Sequence, residues 1–274
     1  MSATVTQLNA AYAFFERNWN LTRRYFGWEV VWFVYSLVNA LTILFIASAT
    51  ETITGQQIDT HFFVLFLLIG TTIWSYLSAV FDILAETIAW ERWEGTIEYT
   101  LMAPVSRSLH LIGTCVYAVT YATLRAALIF LVVSAIFGVD LTHANFATAL
   151  VVLTIGSVSV IGLAMIAAVL PLLFTERGAQ MTFVIHSSLL LISGVYAPIA
   201  VLPVWLRVLS PLSPMTYVLD GVRAGLLDGA DLSAVLTELL VLVVMGVVLV
   251  PAGLLTFRTA ERYAKRTGKL KRSG

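Results

Sequence analysis

Long apolar runs separated by short polar breaks dominate this chain. Val30 to Thr50 carries no charge between Glu29 and Glu51, and Phe62 to Phe81 is closed by Asp82. Leu109 to Gly138 is interrupted only by His110 and Arg125. Ala144 to Thr175, Gly178 to Leu206 and Leu239 to Phe257 are also uncharged, although Pro198 and Pro203 fall in the last third of the fifth run. A helix of about 20 apolar residues crosses the hydrocarbon core and satisfies its own backbone there. The pattern predicts an all-α, polytopic membrane protein with six transmembrane helices. It forms one membrane domain over residues 1–274.

The segments between the runs carry their own periodicities. Leu8, Tyr12, Phe15 and Trp19 recur at helical spacing, with Arg17, Arg23 and Arg24 off that face or near its edge. This predicts an interfacial helix over 8–26, followed by a belt of Tyr25, Phe26, Trp28, Trp32 and Phe33. In 86–107, Trp90, Trp93, Ile97 and Leu101 form an apolar stripe, and Glu91, Glu94 and Glu98 a second face. Gly95 interrupts that helix and Pro104 stops it. The segment is either a docking surface for another protein or a second interfacial helix whose glutamates face water.

After Ser193-Gly194, prolines at 198, 203, 211 and 214 punctuate a stretch that is still apolar. Such a sequence cannot form one straight helix, yet it is too apolar for a free loop. It predicts re-entrant helices within 195–230. Asp220 and Arg223 stand at a spacing that allows them to pair. Small residues from Gly156 to Ala168 predict close helix packing in the fourth run, with a kink at Pro171. Arg125, about midway along the third run, needs a partner or a wet cavity, and Asp82 is the nearest candidate by sequence. A pathway contact, a tie between helices and snorkelling are all open for it.

Composition narrows the class further. Of 274 residues, 59% are hydrophobic and 12% charged, against about 25% charged in soluble domains. The net charge is zero. Most soluble enzymes and basic nucleic-acid binders are excluded. The one cysteine, Cys115, excludes an internal disulfide. No P-loop occurs, His61, His110, His143 and His186 are scattered, and no nucleophile stands beside a base. No metal site and no bound cofactor are expected. A proton-coupled secondary transporter would need more intramembrane carboxylates than Asp82.

Basic residues orient the chain. Six spans put Arg17, Arg23, Arg24, Arg92, Arg107, Arg177 and the basic tail at 258–274 on one side, and Arg207 and Arg223 on the other. This asymmetry predicts that both termini face the cytoplasm. The first 26 residues hold Glu16 and three arginines and no apolar core, so no cleavable signal peptide is expected.

Two motifs resemble the transmembrane permease subunits of type-2 ATP-binding-cassette exporters. The first is Glu91-Arg92-Trp93-Glu94-Gly95-Thr96-Ile97-Glu98, followed by Pro104-Val105-Ser106-Arg107. It is similar to the family's Glu-Arg-x-x-Gly-Thr-(aliphatic)-Glu … Pro-x-Ser-Arg pattern. The second is Ser193-Gly194, Pro198, Leu202-Pro203, Pro211, Pro214-Met215-Thr216-Tyr217 and Asp220 to Arg223. The resemblance covers nearly the whole chain.

It implies that two permease subunits, the second an identical copy, surround a central pathway in the cell membrane. Separate ATPase subunits carrying ATP and magnesium dock in the cytoplasm, and no nucleic acid is involved. Glu91, Arg92, Trp93, Glu94, Gly95, Thr96, Glu98, Pro104 and Arg107 would couple to the ATPase. Tyr196, Pro198, Pro214 and Tyr217 would shape the outer gate, with Arg125 as a pathway candidate. The coupling motif resembles the drug-export branch, which implies an amphipathic drug or lipid as cargo. Gly27, Trp28 and Trp32 keep a lipid-linked glycan as the alternative.

The orientation is testable with single cysteines in a Cys115→Ala background. A cysteine at position 270 should label only from the cytoplasmic side, and exclusive labelling from outside would overturn the topology.

Overall fold

A computed structural model describes residues 3–54, 60–95, 107–174 and 177–267. All regular structure among them is helical. The helices are α1 (Ala3–Arg24), α2 (Phe26–Thr54), α3 (Thr60–Glu94), α4 (Arg107–Phe137), α5 (Phe146–Ala167), α6 (Val169–Leu173), α7 (Gly178–Ile192), α8 (Val204–Arg207), α9 (Pro214–Leu227) and α10 (Leu236–Arg266). Short 3-10 turns at Ile199–Val201 and Ser210–Leu212 flank α8. The crown is the end of the bundle formed by these turns and α9. The base is the opposite end, where α1 packs.

Among the described residues, five helices are long and apolar enough to cross a membrane: α2, α3, α4, α5 with α6, and α10. The fifth predicted run departs from expectation. Its helix, α7, has 15 residues, a rise of about 22 Å against a hydrocarbon core of about 30 Å. Gly194, at φ 74°, turns the chain out of the helix, and Pro198 then fixes an extended backbone. The rest of the run becomes 3-10 turns and α8, the short broken helices expected for 195–230.

Three boundaries also shift. The predicted 8–26 helix is Ala3–Arg24, and α2 begins at Phe26 after a turn at Tyr25. The fourth run breaks at Ala168, because Pro171 has no N–H for the Ala167 carbonyl one turn earlier. The basic tail is a continuation of α10 as far as Arg266, with Lys265 Nζ 2.7 Å from Glu261.

The long helix α3 is the centre of the bundle. Leu68, Ile69, Leu77, Phe81 and Leu84 are fully buried, and α2, α4, α5 and α9 pack around it. The α1 helix lies against the first half of α4, where Gly113 admits the Ala11 carbonyl and the Phe14 side chain. Tyr12, on the apolar face of α1, is exposed.

The closest helix pair is α5 with α10. A Cβ at Gly162 would lie 2.6 Å from the Leu249 carbonyl carbon, and one at Gly253 would lie 2.6 Å from the Gly162 oxygen. Ser159 Oγ donates to the Leu242 carbonyl at 2.6 Å across the same seam. The small-residue pattern of the fourth run therefore serves this crossing.

Gly162→Leu should force α5 from α10 and lower stability by about 1–3 kcal/mol, the usual cost of overpacking. Thermal unfolding in detergent would measure it. Gly27→Ala is the control, because a Cβ at Gly27 meets nothing within 4 Å.

Candidate functional site

The last turns of α3 carry the first half of the coupling motif. Leu84, Ala85 and Ile88 continue its buried face, and Glu91 and Arg92 extend that face with 1% and 3% exposure. Arg17 of α1 donates to Glu91 Oε1 at 2.7 Å, and His110 Nε2 of α4 lies 3.3 Å from the same oxygen. The Phe14 ring packs on the His110 ring at 4.6 Å. Arg92 donates through Nη1 to the Leu172 carbonyl in the last turn of α6. One carboxylate and one guanidinium thus fasten α3 to α1, α4 and α6. Gly95, at φ 76°, then ends α3 in the left-handed conformation that stops many helices.

Of the two faces, Trp90 on the apolar stripe is 55% exposed, whereas Glu91 on the glutamate face is buried. Helical spacing gives which residues share a face, not which face is inward. Here partners brought from α1, α4 and α6 decide it. Glu94 is exposed at the tip. Thr96, Glu98 and Pro104, and the side chains of Trp93 and Arg107, lie outside the described residues.

A second polar seam runs up α4. Tyr117 shares a hydrogen bond with Thr22, Tyr121 donates to Glu29, and Arg125 donates to the Ser36 hydroxyl. Arg125 also donates to the Trp32 carbonyl at 2.9 Å. Arg125 thus joins α4 to α2 through these bonds. Its hydrogen-bond partner is not Asp82, although Asp82 lies within electrostatic reach. Glu29 and Ser36, seven residues apart on α2, are the sequence signal for this seam.

At the crown, Tyr196 and Pro198 follow the end of α7, and Pro214 and Tyr217 begin α9. Ser193 Oγ and Ser213 Oγ, 2.8 Å apart, join the two groups. Tyr217 donates to the Pro211 carbonyl at 3.3 Å, and Tyr196 is 37% exposed. The pair expected between Asp220 and Arg223 is replaced. Arg223 turns inward and donates to the carbonyls of Gly194 at 2.9 Å and Val195 at 2.7 Å, while Asp220 stays exposed. Burial lowers the Arg223 pKa to about 10, with Asp220 opposing the shift, so the guanidinium stays charged at neutral pH. Arg125 does not join this group.

Glu91→Ala should leave Arg17 and His110 without their shared acceptor. A stability loss of about 1–3 kcal/mol is expected, with Glu91→Gln milder. Thermal unfolding measures the loss, and limited proteolysis near Tyr25 should show α1 released. An unchanged melting temperature would overturn the fastening role.

A search of the curated proteins gives no match. The family model described as ABC-2 type transporter matches residues 9–227, from within α1 to the end of α9, and so takes in both the α3 terminus and the crown. The match covers most of the chain, and the helical bundle is the membrane-spanning kind such a component requires. The chain belongs to the ABC-2 type transporter family, as a multi-pass membrane permease component.

Proposed function

We propose that the chain is the permease subunit of an ATP-driven exporter, with the tip of α3 and the residues that follow it, up to Arg107, as the coupling segment. ATP and magnesium sit on a separate ATPase subunit, which docks on that segment from the cytoplasm. The base of the bundle then faces the cytoplasm and the crown faces outward, as the basic asymmetry requires. A second copy of the chain closes the other wall of the pathway. The cargo is an amphipathic drug or lipid drawn from the inner leaflet.

The observation that carries this reading is the double fastening at the end of α3. Glu91 holds Arg17 and His110, and Arg92 holds the Leu172 carbonyl. A free loop would absorb a push from a docked ATPase. This segment passes the push to α1, α4 and α6 together, because its root is buried among them. Trp90 and Glu94 are exposed at the tip. The motif residues thus divide into those that anchor the segment and those that meet the ATPase.

Trp93→Ala, or Glu94→Lys, should weaken ATPase binding or uncouple hydrolysis from export, while leaving the fold intact. Truncating an interface tryptophan commonly costs at least about 2 kcal/mol, or about 30-fold in affinity. Co-purification of the ATPase subunit, ATPase rate and export in reconstituted vesicles are the three measurements. Wild-type values for all three in both variants would falsify the assignment.

A further inference from the structure

The crown contains a fastening that neither the family match nor the coupling motif assigns. Where α7 ends, Gly194 and Val195 are buried, and their carbonyls point away from any helix ladder. Buried carbonyls need donors. Both are satisfied by one side chain, Arg223, from the middle of α9. The guanidinium also stacks on the Phe66 ring of α3, 3.7 Å from its centroid. Gly70, one turn further along α3, leaves the gap into which this junction fits. A Cβ there would fall on the Val195 oxygen and 2.9 Å from Arg223 Nη2. The sequence places a planar fork, a ring beneath it and an absent side chain at one point, each required by the other two.

The two sides of this junction are unequally held. α9 is seated firmly on α5: Gly221 packs on Val152, and the Asn145 N–H donates to the Gly225 carbonyl at 2.8 Å. α7 packs on α3 and α6, with His186 bonded to Ser78 and stacked on Trp74, and its other side is exposed through Phe183, Val184 and Leu191. Arg223 therefore reaches from a fixed helix to the end of a lightly held one. While the site is dry, releasing it strands a cation and two carbonyls. Once water enters, the released groups are solvated. Such a contact favours two states over a gradual range.

We propose that Arg223 is the latch of the crown: a positioning residue that holds the broken end of α7 closed against α3 and must let go for this end of the bundle to open. The gating step rests on the export reading; the fastening does not.

The test uses the full chain in a Cys115→Ala background with Val195→Cys as reporter, because Val195 is 1% exposed under the latch. The labelling rate with a membrane-impermeant maleimide should be slow in this parent. It should rise about tenfold or more in Arg223→Gln and in Gly70→Ala, with Arg223→Lys between, since an ammonium lacks the fork. Equal rates in all variants that elute as folded, monodisperse protein would overturn the latch. Should Arg223→Gln fail to fold, Gly70→Ala and Arg223→Lys decide the question. In vesicles with the ATPase subunit, Arg223→Gln should continue to hydrolyse ATP but export less per ATP. Faster labelling with unchanged export per ATP would overturn the gating role. If no ATPase subunit associates with the wild-type chain, the export reading fails, and the labelling ratio still decides the latch.

Discussion

Backbone carbonyls left over where helices stop are the constraint on which this structure depends. In a hydrocarbon setting no water caps them, so each break must be closed from within. Arginine does this three times. Arg92 caps the end of α6, Arg223 caps the end of α7, and Arg207 closes the 3-10 turn through the Ala200 and Leu202 carbonyls. A guanidinium suits the task because it cannot lose its proton in this range and carries five donors in one plane. The broken helices of the crown are closed both locally, by Arg207, and from α9, by Arg223.

This dependence explains what could be read in the sequence and what could not. Spans announce themselves by uninterrupted apolar length, a local property, and α2, α3, α4, α5 and α10 all stand where the runs lie. The fifth run was apolar for long enough, but Gly194 and Pro198 cut its helix to α7. The prolines were visible; that the helix would end before them, at a glycine with positive φ, depended on Arg223 waiting to receive its carbonyls. The small-residue run also gave its purpose away, since close packing needs no partner identity to be inferred.

Charged residues were harder, because their meaning lies in partners far along the chain. Spacing puts Glu91 on one face with Glu94 and does not say where that face looks; Arg17, 74 residues away, draws Glu91 inward. Sequence offers Arg125 only its nearest carboxylate, Asp82, as a candidate, whereas its hydrogen bonds go to α2. Both cases have one source. Periodicity ranks residues around a helix, and the tertiary neighbours then choose which side is in. Glu29 and Ser36, seven apart on α2 and facing Tyr121 and Arg125, are the signal for the second seam, since polar positions at that spacing mark one face of a helix.

The two fastenings of the candidate site bear on one element. Arg92 and Glu91 hold the base of α3, and Phe66 and Gly70 receive the latch near its other end. Those points are about 35 Å apart along a continuous helix, close to the thickness of the hydrocarbon core. A helix of this length, buried along most of its course, resists bending, so displacement at one end is delivered at the other. In the proposed cycle a push on the tip of α3 need not pass through loops or the apolar faces of α7. It moves Phe66 and Gly70 relative to α9, which α5 holds in place, and thereby strains the two bonds of Arg223. The carbonyl-capping chemistry that lets the crown be built from broken helices also gives α3 something to release.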